Sequence, residues 1–249
     1  MALAVLFIVP FLGTLSGAAS VFAFRNGIGL RAGKAVTGFA AGVMIAASVW
    51  SLLLPAIEAS SYITAAIGFL SGILILLALD TLIPHLHATS EIAEGKPSKL
   101  SRSTLLMLSV TLHNIPEGMA VGAAAAAASE SIPYASALAL SLGIALQNFP
   151  EGLVVSMPLY KEGKSRKRAF AEGTISGAVE PIGAVLAFIF VSFFSSFLPF
   201  LLSLAAGAMF YVVVEELIPE ASEGEHSNIG TIGAALGFAA MMILDGLFG

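Results

Sequence analysis

Cysteine is absent from the sequence, which excludes disulfides, thiolate metal sites and any redox clue to compartment. Charge is scarce: 11% of residues are charged, against about 25% in an ordinary soluble domain. Lys and Arg number only eleven and form no basic domain, so nothing supports nucleic-acid binding. The net charge of -5 is no signal of a partner either, because the charges sit in loops and at a few positions inside apolar runs. What is plentiful is apolar: 57% of residues are hydrophobic and the mean hydropathy is +0.95. The medium around this chain is therefore lipid.

Eight apolar runs reach the ~20 residues that cross a hydrocarbon core, at roughly 2–24, 35–57, 62–84, 103–128, 133–159, 169–192, 199–219 and 229–248. No linker is long enough for a separate soluble domain, so residues 1–249 read as one all-α integral membrane domain of eight transmembrane helices. The first run has no basic residue before it, which argues against a cleaved signal peptide. All eleven Lys and Arg fall in alternate loops: Arg25, Arg31 and Lys34, then Lys96, Lys99 and Arg102, then Lys161, Lys164, Arg166, Lys167 and Arg168. The positive-inside rule puts those loops in the cytoplasm and both termini outside. The fourth loop on that side breaks the bias, with no cation but Glu220, Glu223, Glu225 and His226.

Small residues recur at four-residue spacing: Gly13/Gly17, Gly38/Gly42, Gly68/Gly72, Gly118/Gly122, Gly173/Gly177 and Gly233/Gly237. In lipid such pairs let helix backbones approach closely.

Two near-copies of one polar motif interrupt the apolar runs: His113-Asn114-Ile115-Pro116-Glu117-Gly118 and Gln147-Asn148-Phe149-Pro150-Glu151-Gly152. In each, a nitrogen or amide ligand and a carboxylate lie four residues apart, on one face of a helix. His113, Gln147 and Glu180 fall near the middle of their spans, so three carboxylates and a histidine share one depth. A lone membrane histidine or glutamate is as readily explained by an interhelical hydrogen bond. Three neighbouring glutamates, however, cannot all be ionised unless cations compensate them. Pro116 and Pro150 each release a backbone carbonyl, of Leu112 and Leu146, and freed carbonyls beside carboxylates suit a cation, as in transporters whose broken helices meet near the midplane. Imidazole, carboxylate and amide oxygen without thiolate favour borderline to hard divalent ions over copper(I).

These motifs, together with Ser176-Gly177-Ala178-Val179-Glu180-Pro181 and the stretch from Asp80 to His87, resemble the ZIP (Zrt/Irt-like) family of divalent-metal transporters, and Gln147 resembles its bacterial GufA-type branch. The resemblance covers essentially the whole chain. It implies a two-metal centre in mid-membrane. The first site would use His113, Glu117, Gln147 and Glu151, with Met44 as a thioether ligand. The second would use Asn114, Asn148 and Glu180, with Glu117 and Glu151 bridging. Asn148 stands where close relatives carry Asp, which removes a charge from the second site. The resemblance also implies a homodimer, and a moving bundle of spans one, four, five and six.

A route follows: Glu58 and Asp245 as entrance acids outside, and Asp80, His85, His87, Glu216 and His226 receiving the ion on the cytoplasmic side. The expected function is import of a divalent ion, zinc first, with cadmium, iron or manganese as further substrates, through a prokaryotic plasma (inner) membrane by alternating access. No catalytic residue or resident cofactor is expected. A metal-dependent intramembrane hydrolase would also need buried ligands, but the H-E-x-x-H helix is missing from the sequence. A metal sensor would bind the ion without moving it.

Overall fold

A computed structural model describes residues 2–24, 29–86, 92–128, 133–225 and 227–248. Helices account for nearly all of it: α1 (Ala2–Ala23), α2 (Leu30–Ala59), α3 (Tyr62–Leu82), α4 (Arg102–Ala127), α5 (Tyr134–Lys161), α6 (Arg166–Phe193), α7 (Ser195–Ser222) and α8 (Ile229–Phe248). Among the described residues the one β-type pairing is an isolated bridge between His85 and Glu94. All except α4 are long and apolar enough to cross a membrane. The 26 residues of α4 span about 39 Å at 1.5 Å per residue, more than the ~30 Å core. Its polar motif, His113-Asn114 and Glu117, is what lowers its apolarity.

Two helices, α4 and α6, begin before the apolar runs that predict them, because serine caps start them inside the preceding loops. Ser101 accepts a hydrogen bond from the Thr104 amide and Ser165 from the Arg168 amide. Each satisfies one amide that the first turn leaves without a helical partner.

The most extensive pairings are α1 with α5, α4 with α6, α2 with α8, and α3 with α7. The glycine pairs set these contacts. A methyl group on Gly118 or Gly122 would run into the carbonyl oxygens of Glu180 and Ala184 on α6. Gly13 and Gly17 face the α5 backbone in the same way, Gly38 and Gly42 the α8 backbone, and Gly233 and Gly237 the α2 backbone. Without an apolar driving force in lipid, such close packing is what holds helices together.

Both α4 and α5 run as continuous α-helices through Pro116 and Pro150, since neighbouring helices can absorb a missing backbone bond. One such repair is visible in α1: Pro10 cannot donate to the Leu6 carbonyl, and the Ser141 hydroxyl of α5 donates to it instead, at 2.7 Å. Helical geometry is interrupted in other places. Wide π-type turns occupy Ala47–Leu53 in α2 and Val213–Leu217 in α7, each just before a proline, Pro55 and Pro219. π-Turns of this kind often accompany functional positions.

Candidate metal centre

The two polar motifs meet in the core because α4 and α5 pack against each other and against α1 and α6. His113, Asn114, Glu117, Gln147, Asn148, Glu151 and Glu180 are all buried, four of them completely. The Gln147 amide donates to Glu117 Oε1, and the Glu151 carboxyl lies beside that of Glu117. Asn148 Nδ2 donates to Glu180 Oε2 at 2.8 Å, and the Thr14 hydroxyl of α1 donates to Glu180 Oε1 at 2.7 Å. Asn114 Nδ2 donates to the Ser176 carbonyl of α6 at 3.0 Å.

These bonds consume the donors and leave acceptors over. Asn114 Oδ1, Glu117 Oε2, Gln147 Oε1, Asn148 Oδ1 and Glu151 Oε2 are buried without a hydrogen-bond donor. A buried polar atom with no partner costs about 1–3 kcal/mol, more if charged. Five would cost roughly 5–15 kcal/mol on that figure, comparable to the whole stability of a typical folded domain. Every one of the five is an oxygen, and every one belongs to the twin motif. A positive ion satisfies such a set; an apolar ligand does not.

His113 stands at the margin of this group. Its Nε2 lies 3.1 Å from Glu216 Oε1 on α7, and the Ser109 hydroxyl donates to the same oxygen at 2.9 Å. Glu216 sits in the π-turn of α7, so a residue expected only along the exit is paired with one expected in the central site. His113, Glu151, Glu216 and Glu220 line one narrow cavity of about 30 Å³ that also reaches Leu86. That is room for an ion with about one or two waters. Met44 lies outside the hydrogen-bonded array. It is fully buried in the apolar core, one turn along α2 from Ala40, which lines this cavity.

The two acids expected on the outer route share one cavity. Glu58 and Asp245 line a single cavity of about 520 Å³ together with Trp50 and Ser51, and the Ser51 hydroxyl donates to Asp245 Oδ1 at 2.8 Å. Toward the other end, His85 Nε2 lies 3.0 Å from Asp80 Oδ1, and its Nδ1 is 2.9 Å from the Ile83 carbonyl. Asp80, His85 and Glu94 bring ligand atoms within 4.8 Å of one another. Tyr211 of α7 donates to Asp80 Oδ2 at 3.1 Å. His87 and His226 lie outside the described residues.

Sequence reasoning missed Thr14, Ser109, Glu94 and Tyr211. Thr14 carries a signal in hindsight, as a hydroxyl beside Gly13 on the glycine face of α1. Glu94 and Tyr211 carry none, because only the return of the chain after α3 and the α3–α7 packing bring them to Asp80.

An all-helical, multi-pass membrane protein with a buried, oxygen-rich polar centre is the class defined by this fold and site. The profile of the ZIP zinc transporter family matches residues 95–245. The zinc transporter ZIPB of Bordetella bronchiseptica is 38% identical over 96% of this chain and 79% of its own length. Human zinc transporter ZIP11 is 34% identical over 93% of each chain, and zinc transporter GufA of Myxococcus xanthus 36% identical over 79% of each. The chain belongs to the ZIP family.

Proposed function

We propose that this protein carries divalent transition-metal ions, zinc first among them, across the plasma membrane into the cytoplasm. The observation that carries the reading is the set of five donorless buried oxygens contributed by the twin motif. The named relatives are zinc transporters, and family members of this kind move an ion without chemically changing it, which makes the protein a transporter and not an enzyme. Cadmium, iron and manganese suit the same donors.

In this reading all eight helices span the bilayer with both termini outside, as the distribution of Lys and Arg supports. An ion enters past Glu58 and Asp245 and exchanges water for the oxygens of Glu117, Gln147 and Glu151, with His113 and Met44 as further ligands. It leaves past Glu216 and Glu220 toward Asp80 and His85. Alternating access follows from moving one group of helices against the other. The pairings α1–α5 and α4–α6 on one side, and α2–α8 and α3–α7 on the other, supply two groups of that kind. The Glu216 contacts to His113 and Ser109 cross between them, so they are placed to break and re-form as the groups move. The assembly is a homodimer, on the strength of the family resemblance.

Purified protein in zinc-loaded proteoliposomes tests this. Zinc flux that collapses in Glu117→Ala and Glu151→Ala, with both variants folded, is the expected result. No flux in the unaltered protein, or full flux in either variant, would sink the assignment.

A further inference from the structure

We infer that the centre of this chain holds one transported ion, and that a hydrogen-bonded clamp on Glu180 stands where the family resemblance would put a second. The inference rests on the transport reading above and concerns the count of ions within it. Both oxygens of Glu180 already receive donors, Oε1 from the Thr14 hydroxyl at 2.7 Å and Oε2 from Asn148 Nδ2 at 2.8 Å.

The orientation of the Asn148 amide is set by its surroundings. Its nitrogen faces two acceptors, Glu180 Oε2 and, at 3.4 Å, the Pro10 carbonyl. An oxygen in that place would oppose both, so the flipped amide is unfavourable. An aspartate at the same position would set a carboxylate against Glu180 and a carbonyl, an arrangement that a metal cation between them, or failing that a shared proton, would have to hold. Asparagine supplies the positive end of its own N–H dipole instead.

The surroundings are shaped for this contact. A methyl group on Gly177 would fall 2.7 Å from Thr14 Cγ2 and 2.9 Å from Glu180 Oε1, so glycine there leaves the hydroxyl its approach. The clamp ties α1, α5 and α6 together, and all three belong to one of the two helix groups. It therefore travels as a unit in any movement of that group. The donorless oxygens are those of Glu117, Gln147, Glu151 and Asn114 and the carbonyl oxygen of the Asn148 amide, and they are enough for one ion.

The test uses the full-length purified protein with cadmium as the probe, located by anomalous scattering in crystals and counted at saturation in solution. One ion in the membrane core of the unaltered chain and two in Asn148→Asp, about 3.5–4 Å apart as in two-metal sites, are expected. Glu180→Gln, which keeps the shape of the clamp and serves if Asn148→Asp does not fold, should still hold one core ion, with affinity lowered by no more than the roughly 10- to 100-fold that a change in an outer hydrogen-bond partner costs. Two core ions in the unaltered chain, one in folded Asn148→Asp, or loss of the ion in Glu180→Gln would each overturn the inference. Zinc flux by the same preparation separates the two readings: one bound ion without flux rejects transport and supports the count, whereas two ions with flux reject the count alone.

Discussion

Replacing Glu117 with alanine removes a fully buried carboxylate at the point where both motifs meet. In the absence of metal the change is mixed. It leaves the Gln147 amide without its acceptor, a loss of about 1–3 kcal/mol, but it also removes an oxygen that has no donor and that crowds Glu151. These terms are of similar size and opposite sign, so the metal-free variant should stay folded, with a midpoint of unfolding near that of the parent. With metal the balance is one-sided. Truncating one partner of a buried charge pair costs about 2–5 kcal/mol, which corresponds to a loss of affinity of roughly 30- to 5,000-fold. Zinc binding by calorimetry or competition, run beside thermal unfolding with and without zinc, reads both halves. A folded variant that binds zinc within threefold of the parent would refute the assignment of Glu117 as a ligand and the argument from donorless oxygens with it.

Zinc at a thousandfold excess over its dissociation constant should stabilise the unaltered protein by about 4 kcal/mol, raising the unfolding midpoint by roughly 8–16 °C for a chain of this size; chelation should reverse the shift, and a midpoint indifferent to zinc would contradict the site. Gly122→Leu should prevent assembly of the α4–α6 pair, because the side chain meets the Ala184 carbonyl; a monodisperse, fully active variant on size exclusion would show that the contact is dispensable. Replacing His85, His87 and His226 together with alanine should slow zinc flux by a modest factor while central-site affinity holds, since on the proposed route water can substitute for them; collapse of that affinity would place them in the binding site. Asp245→Ala should raise the zinc concentration for half-maximal flux a few-fold with little change in maximal rate, as expected of an entrance acid facing Glu58 across one cavity; a lost maximal rate with unchanged half-saturation would argue for a part in the conformational step.

The sequence determined the lipid environment, the helical class and the identity of the polar centre, because each is written in local composition or in spacing along one helix. A span of apolar residues must satisfy its backbone internally, and ligands four residues apart must share a face. The glycine pairs likewise announced close helix contacts before any partner was known. Which helices those glycines meet was decided by the tertiary structure alone, and so was everything that depends on a side chain from a distant segment: Thr14 reaching Glu180, Glu216 reaching His113, and Glu94 and Tyr211 reaching the Asp80–His85 pair. The prolines mark the boundary most clearly. From sequence, Pro116 and Pro150 read as freeing the Leu112 and Leu146 carbonyls beside a cation site; in the packed bundle both helices stay continuous, while departures from α geometry fall at Ala47–Leu53, Val213–Leu217 and, just before Glu180, at Ala178. A proline's lost hydrogen bond is local, but what becomes of the freed carbonyl depends on the neighbour that packing brings to it, as Ser141 shows at Leu6.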